Sequence, residues 1–194
     1  RQTSVTAGTM FQDTRTPLMT WWRAMWCVTS SKTGTSALAL QQVLGLGSYK
    51  TAWSWRQKLR RAMVRPGRDR LHGRVEVDET YWGAKEAGLR GRQLVYKVLI
   101  AVAVGQVGRR GLGRIRMRRI PDASADSLQA FVEDAVEPGS VLHTDRWISY
   151  DRLGKRGYRH RITFLSGHAE APAALPPRVH RLVSLLTRWL LGTH

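Results

Sequence analysis

The chain has 194 residues, with 32 Lys and Arg against 14 Asp and Glu, and its formal net charge at pH 7 is +18. A basic excess of this size predicts binding to a polyanion such as nucleic acid, and no apolar run approaches the ~18 residues that would cross a membrane. The single cysteine, Cys27, excludes an intrachain disulfide framework and a multi-cysteine zinc site within these residues.

The first helix is predicted to begin at Pro17, with Thr16 as its N-cap. Apolar residues recur from there at intervals of three and four, which is the pattern of a helix with one apolar face; they are Leu18, Trp21, Trp22, Met25 and Trp26. We expect this face to pack into a core, with its tryptophans buried there and not stacked on bases.

Residues 36–63 are predicted to form two helices around a glycine turn, which is the spacing of a helix-turn-helix motif. Ser36 and Ser48 each precede a helical pattern as capping residues, and Gly45 breaks the pattern between them. On the second helix an inward stripe is expected, formed by Ala52, Trp55, Leu59 and Met63. Other positions are predicted to contact phosphates or base edges of DNA, namely Lys50, Ser54, Lys58 and Arg61. A helical hairpin with a solvated basic face is the alternative interpretation.

Residues 65–74 have the charge and the breakers of a linker, and a strand is predicted to follow. Val75 and Val77 alternate with Glu76 and Asp78, so the valines are expected on the buried face and the carboxylates on the other. The strand ends a few residues later. Asp78 is therefore predicted to lie near a sheet edge, where a metal or a ligand can reach it.

Further elements predict an α/β domain. Residues 94–104 and 114–120 are expected to be strands, and an amphipathic helix is expected from Ser124 onwards. A short strand from Val141 then ends at Asp145, which is 67 positions after Asp78 (145 − 78). Strand, strand, strand, helix, strand is an order in which one mixed sheet is covered by helices.

The segment after Asp145 is basic and aromatic. Arg146, Trp147, Tyr150 and Tyr158 belong to it, and aromatic rings beside arginine can stack on unpaired bases. A packed loop is the alternative interpretation. A last helix is predicted over residues 178–191, with Leu182, Leu186 and Trp189 on one face and His180 on the opposite face.

Three separated segments carry a family resemblance: VEVDETYWG at residues 75–83, HTDRWISY at 143–150 and SLLTRWLLGTH at 184–194. In this order they resemble a bacterial insertion-sequence transposase with an RNase H-like, DDE-type catalytic domain, and the resemblance extends from about Thr3 to His194. It implies cleavage and joining of DNA strands with two Mg²⁺ or Mn²⁺ ions, held by Asp78 and Asp145, and a third active-site residue near the C-terminus.

The resemblance places His180 at the third catalytic position, 35 residues after Asp145 (180 − 145). The family has a carboxylate or an amide there, and imidazole nitrogen is a poorer ligand for Mg²⁺ than oxygen. His180 could hold the second metal less tightly, or donate a hydrogen bond to the scissile phosphate as imidazolium. Glu170, on the preceding loop, is the substitute carboxylate, whereas Glu79 is expected to point away from Asp78.

We therefore predict a DNA transposase with an α/β fold. A helical DNA-binding region is expected over residues 1–64, a linker over 65–74 and an RNase H-like mixed-sheet catalytic domain over 75–194. The alternatives are a structure-specific RNase H-like nuclease and a DNA-binding remnant without catalysis. By analogy we expect a homo-oligomer acting on transposon ends and target DNA in the bacterial cytoplasm. Since the chain begins with Arg1 and stops at His194, we expect a fragment whose catalytic domain is truncated.

Overall fold

A computed structural model gives the fold and describes residues 4–64, 67–83, 97–108, 111–145, 148–162 and 177–193. The chain divides into two compact units, a helical unit formed by Arg1–Arg68 with Leu185–His194 and a sheet unit formed by Asp69–Ser184. Within the described segments, every helix is too short or too polar to span a bilayer.

The helical unit contains the predicted helices. They are α1 (Leu18–Ser30), α2 (Ala37–Leu44) and α3 (Tyr49–Met63). Ser36 Oγ accepts the backbone N–H of Ala39 at 3.1 Å, and Ser48 Oγ accepts that of Lys50 at 3.2 Å, so both predicted serine caps are made. Gly45 ends α2 in the left-handed conformation, at φ 63°.

The core of the helical unit differs from the predicted one on α1. Trp21 is buried and stacks on Trp55 with ring centroids 3.6 Å apart, whereas Trp22 and Trp26 are 59% and 72% exposed. The expectation that all these tryptophans are buried was therefore wrong. Two overlapping apolar stripes run along α1, and the stacking of Trp21 on Trp55 turns the stripe with Ala24 and Val28 inward.

On α3 the buried stripe is confirmed at Ala52, Trp55 and Leu59 and was wrong at Met63, which is 53% exposed. Arg56 is buried in its place, and its guanidinium donates to the backbone carbonyl of Thr193, also in the helical unit. A charged side chain with an apolar stem can occupy such a position when a carbonyl accepts from its guanidinium.

The sheet unit has the predicted α/β class and RNase H-like order. Its elements are β1 (Arg74–Trp82), β2 (Val98–Val107), β3 (Gly111–Ile120), α4 (Ala125–Ala135), β4 (Val141–Thr144), a 3₁₀ helix (Ile148–Arg156) and β5 (Arg159–Ile162), followed by the start of α5 (Pro177–Leu191). The strands are ordered β3-β2-β1-β4-β5. The first three strands pair antiparallel, whereas β4 is parallel to both β1 and β5.

The two faces of the sheet pack different helices. On one face Val75 and Val77 join a core with α4 and the 3₁₀ helix, in which Phe131 is 1% exposed. On the other face Val102 and Val104 pack against the start of α5 through two of its apolar residues, Val179 and Leu182. Because side chains alternate along a strand, Glu76 and Asp78 lie on the α5 face of β1.

The turn between α2 and α3 yields a test with a matched control. An added Cβ would meet nothing within 4 Å at Gly45 or at Gly47, but only Gly45 has a positive φ, of 63°. Gly45→Ala should lower the free energy of unfolding by about 1 kcal/mol because alanine is strained in the left-handed region. Gly47→Ala should leave it unchanged or raise it slightly. Chemical unfolding followed by circular dichroism measures both, and equal stabilities would contradict the assigned turn.

Candidate active site

Asp78 is the middle residue of β1, opposite Val102 of β2, and it is half-buried. Because β1 is the central strand of the sheet and continues to Trp82, the prediction that Asp78 lies near a sheet edge was wrong. Its Oδ1 accepts the backbone N–H of Glu79 at 2.8 Å. Since Val102 belongs to the core on the α5 face, Asp78 faces that side of the sheet. The carboxylate is thus placed by the strand alternation that the sequence predicted.

Asp145 directly follows β4 and is brought next to Asp78 by parallel pairing. The register places Val75 opposite Leu142 and Glu76 opposite His143. Two residues further along each strand lead to Asp78 within β1 and to Asp145 directly after β4, so the register makes the two aspartates neighbours where the ladder between these strands ends. The structure therefore brings these two predicted site residues together.

The backbone at the end of β4 is held by a buried threonine. Thr144 Oγ1 donates to the carbonyl oxygen of Asp145 at 2.8 Å and lies 2.7 Å from His160 Nε2, with which it shares a hydrogen bond. His160 belongs to β5, so this contact ties the neighbouring strand to the position of Asp145. The sequence pattern did not single out either residue.

Tyr150 lies beneath the site in the 3₁₀ helix and is fully buried. Its hydroxyl donates to Glu79 Oε2 at 2.7 Å. Burial raises the pKa of Tyr150 well above its usual range, and the carboxylates of Glu79, Asp78 and Asp145 raise it further. All three carboxylates therefore lie within electrostatic reach of one hydroxyl.

The predicted stacking of aromatic rings on bases was wrong for Tyr150 and Tyr158. Tyr158 is 5% exposed and its hydroxyl donates to the carbonyl of Val136 at 3.1 Å. Both rings fill the core on the α4 face, which is the packed alternative. Arg146 and Trp147 lie outside the described residues, so their predicted contacts with DNA stay predictions.

Glu79 points to the opposite face from Asp78, as expected. It pairs with Ala101, a member of the core under α4, and is bonded to Tyr150 in the same core. A regular strand directs consecutive side chains to opposite faces. Glu79 therefore acts through its contact with Tyr150 and does not share the face on which Asp78 and Asp145 meet.

Glu76 holds the start of α5 against β1, which the sequence did not reveal. The Glu76 carboxylate is 5% exposed and accepts the backbone N–H groups of Arg178 at 2.9 Å and Val179 at 3.3 Å. The guanidinium of Arg178 also donates to it. A carboxylate is stabilised at a helix N-terminus by the unpaired N–H groups and the helix dipole. The only sequence feature that could have indicated this contact was the presence of Glu76 on a face of β1 that a later helix would cover.

His180 follows this anchored turn of α5 and is exposed. Over the described ranges, which contain Asp78, Asp145 and His180, no group of three or more His, Cys, Asp or Glu side chains is arranged to hold a metal ion. The two aspartates meet, but the structure does not assemble a three-residue ligand set with the histidine. Glu170 lies outside the described residues, so the identity of the third active-site residue stays a prediction.

The cationic residues predicted to contact DNA lie on α3 in the helical unit. Lys50, Lys58 and Arg61 are exposed and Ser54 is half-buried. The Lys58 ammonium lies 6.0 Å from the ring centroid of Trp21, at the edge of the helical core. These side chains are thus available to a partner, whereas Arg56 of the same helix is buried.

Comparisons with known proteins give a family for this arrangement. Residues 70–194 match a family model described as the ISXO2-like transposase domain. No curated protein matches the chain. One similar solved chain is in the cryo-EM structure of a simian T-cell lymphotropic virus intasome in complex with PP2A regulatory subunit B56 gamma, with 15% identity and a TM-score of 0.38. The match covers 84% of this chain and 57% of that chain, so this chain spans little more than half of that protein.

The hydrogen bond between Tyr150 and Glu79 can be tested by measuring the stability of a variant that lacks the hydroxyl. Tyr150→Phe should lower the free energy of unfolding by about 1.5–3 kcal/mol, because the hydrogen bond that it removes is made to a charged group. The raised pKa of Tyr150 means that the stability due to its protonated hydroxyl is fully present below pH 10 and is lost as the pH rises further. The difference in free energy of unfolding between the wild type and Tyr150→Phe, measured with urea, should therefore be the same at pH 6 and pH 9. It should be smaller above pH 10.

Tyr158→Phe is the matched control, since the Tyr158 hydroxyl is bonded to a neutral carbonyl in the same core. The free energy of unfolding of Tyr158→Phe should be lower than that of the wild type by about 1 kcal/mol. A Tyr150→Phe protein as stable as the wild type would contradict the bond to Glu79.

Proposed function

Because the chain belongs to the family of ISXO2-like transposase domains, we propose that it is a DNA transposase that cleaves DNA strands and joins them to a target in the presence of divalent metal ions. The observation that supports the proposal is the parallel pairing of β1 and β4, whose register leads to Asp78 on one strand and to Asp145 directly after the other.

The donor set of the site fits Mg²⁺ or Mn²⁺. Asp78 and Asp145 offer carboxylate oxygens, which are the hard ligands that these ions prefer. The raised pKa of Tyr150 supports a concentration of negative charge that a cation would neutralise. When bound, two such ions would activate the attacking oxygen and stabilise the charge that develops at the phosphorus during in-line displacement.

The protein side chains then have separate tasks. Asp78 and Asp145 would hold the ions, whereas Glu79 lies on the opposite face of β1, where it accepts a hydrogen bond from Tyr150. His180 is exposed on α5 near the Glu76 anchor, where an imidazolium could donate to the scissile phosphate. Hydrolysis frees a 3′-hydroxyl, which attacks target DNA with the same geometry, so no covalent intermediate with the protein is required.

We assign DNA binding to two groups of side chains, one on α3 and one directly after Asp145. Lys50, Ser54, Lys58 and Arg61 of α3 would hold the transposon end, and Arg146 with Trp147, next to Asp145 in sequence, would contact DNA near the cleavage site. The net charge of +18 supports a polyanionic partner. We further propose a homo-oligomer, since two ends of an element must be processed together.

The metal site predicts the outcome of removing one ligand at a time. Asp78→Asn and Asp145→Asn should each lower the cleavage rate by about 100-fold or more, because charge stabilisation worth several kcal/mol is lost and each 1.36 kcal/mol is tenfold in rate. The measurement is cleavage of a labelled duplex carrying the ends of the element that encodes the protein, with Mg²⁺ or Mn²⁺.

Asp134→Asn is the control, since this carboxylate on α4 is 74% exposed and pairs with Arg118 on the surface. The same assay with His180→Ala and Glu170→Ala distinguishes the two candidates for the third position. Binding without cleavage by the wild type would instead identify a DNA-binding remnant. Cleavage without joining would identify a nuclease.

The role of α3 predicts a change in salt dependence. If Lys50 and Arg61 each neutralise a phosphate, the double variant Lys50→Ala with Arg61→Ala should bind duplex DNA less tightly. The slope of log K against log salt should then fall by about 2. Lys32→Ala, at an exposed lysine outside α3, should leave the slope unchanged. Equal slopes for all three proteins would contradict phosphate contacts from α3.

A further inference from the structure

The outer face of α3 carries neutral side chains as well as cations. At 3.6 residues per turn, one sector of roughly 140° contains Tyr49, Lys50, Trp53, Ser54, Gln57 and Arg61, together with Arg60, which is half-buried and lies over the ring of Trp189. Tyr49 and Trp53 are 52% and 50% exposed, and Gln57 is half-buried. The opposite sector carries the buried residues of the helix, so this outer face is the part of α3 that a partner can reach.

Trp53 lies at the centre of an open depression on this face. The depression is lined by Tyr49, Lys50, Trp53 and Ser54. The core of the helical unit takes its large aromatic contribution from Trp21 and Trp55, so Trp53 adds nothing to that core. An exposed tryptophan between a lysine and a serine thus offers apolar contact area within polar surroundings.

Charge complementarity identifies the partner as DNA. Residues 37–63, which contain α2 and α3, include no Asp or Glu, and three of their cations are exposed, namely Lys50, Lys58 and Arg61. When the second helix of such a helix pair enters the major groove, its N-terminal residues meet the base edges. Tyr49, Trp53 and Gln57 fall in the first nine residues of α3, which begins at Tyr49.

The cations alone cannot supply sequence preference, because phosphates are the same at every base pair. A glutamine amide can both donate and accept, which matches adenine N7 and N6 in the major groove, and an apolar ring can contact the thymine methyl group. Gln57 and Trp53 are one turn apart on the same face, so together they suit one A·T pair or two adjacent pairs.

We propose that Gln57 and Trp53 are the residues of α3 that determine sequence preference, and that they read A·T base pairs in the major groove while Lys50 and Arg61 contact the flanking phosphates. The proposal rests on the proposed function only in that α3 binds double-stranded DNA. It adds the base type that is recognised and the residues that recognise it.

The test is selection of binding sites by the full chain. A pool of duplexes with about 20 randomised base pairs, two helical turns, is bound, recovered and sequenced for the wild type and for each variant. The wild type should enrich a motif that contains A·T pairs. Gln57→Ala should lose the preference at one of these pairs by roughly 5- to 150-fold, while the rest of the motif is kept.

A variant with altered preference guards against loss of folding. Gln57→Arg should change the preferred pair at that position from A·T to G·C, since arginine pairs with guanine O6 and N7. A misfolded protein could not give this result. Trp53→Ala should weaken a preference for thymine at the adjacent position. Gln42→Ala, at an exposed glutamine of α2, should select the wild-type motif.

The outcomes separate this inference from the proposed function. If the wild type enriches a motif and the Gln57 and Trp53 variants enrich the same one, base reading by these residues is refuted and DNA binding stands. If the wild type binds duplexes without enriching any motif, base reading is also refuted. If it binds no duplex, base reading and DNA binding by α3 are both refuted. The proposed roles of Asp78 and Asp145 are then still tested by the cleavage assay.

Discussion

The parallel pairing of β1 with β4 is the constraint on which the candidate active site depends. Asp78 and Asp145 become neighbours because two strands from distant parts of the chain pair in parallel with a particular register. That register is held by Val75 opposite Leu142, both fully buried. A slip of one residue would move the valine side chains of β1 to the wrong face, so the core excludes the registers that would separate the aspartates.

Three carboxylates lie within four residues of β1, and their surroundings give them different tasks. Glu76 is buried under α5 and accepts from its first N–H groups, whereas Glu79 accepts from Tyr150 in the opposite core. Asp78, between them, lies where the ladder between β1 and β4 ends. The two glutamates are engaged in holding α5 and the 3₁₀ helix, so of the three carboxylates Asp78 is the one proposed to bind metal.

Which features could be predicted from the sequence depends on how far apart along the chain the interacting residues lie. The strand β1, its two faces and the serine caps of α2 and α3 depend on neighbouring residues, and they were predicted. The hydrogen bond from Tyr150 to Glu79 joins residues 71 positions apart, and the hydrogen bond from Arg178 to Glu76 joins residues 102 positions apart. No local sequence pattern predicts either of them. On α1 two apolar stripes were equally regular, and the distant ring of Trp55 selected between them.

The helical unit shows why the number of basic residues is a poor measure of DNA contacts. Arg56 donates to the carbonyl of Thr193, and the Arg60 guanidinium lies 5.0 Å from the ring centroid of Trp189, so both cations stabilise the packing of this unit. The cations left for phosphates on α3 are Lys50, Lys58 and Arg61, and these bind any sequence alike. The proposed recognition of a particular DNA sequence would therefore depend on neutral groups on the same face, and α3 has such groups in its first nine residues.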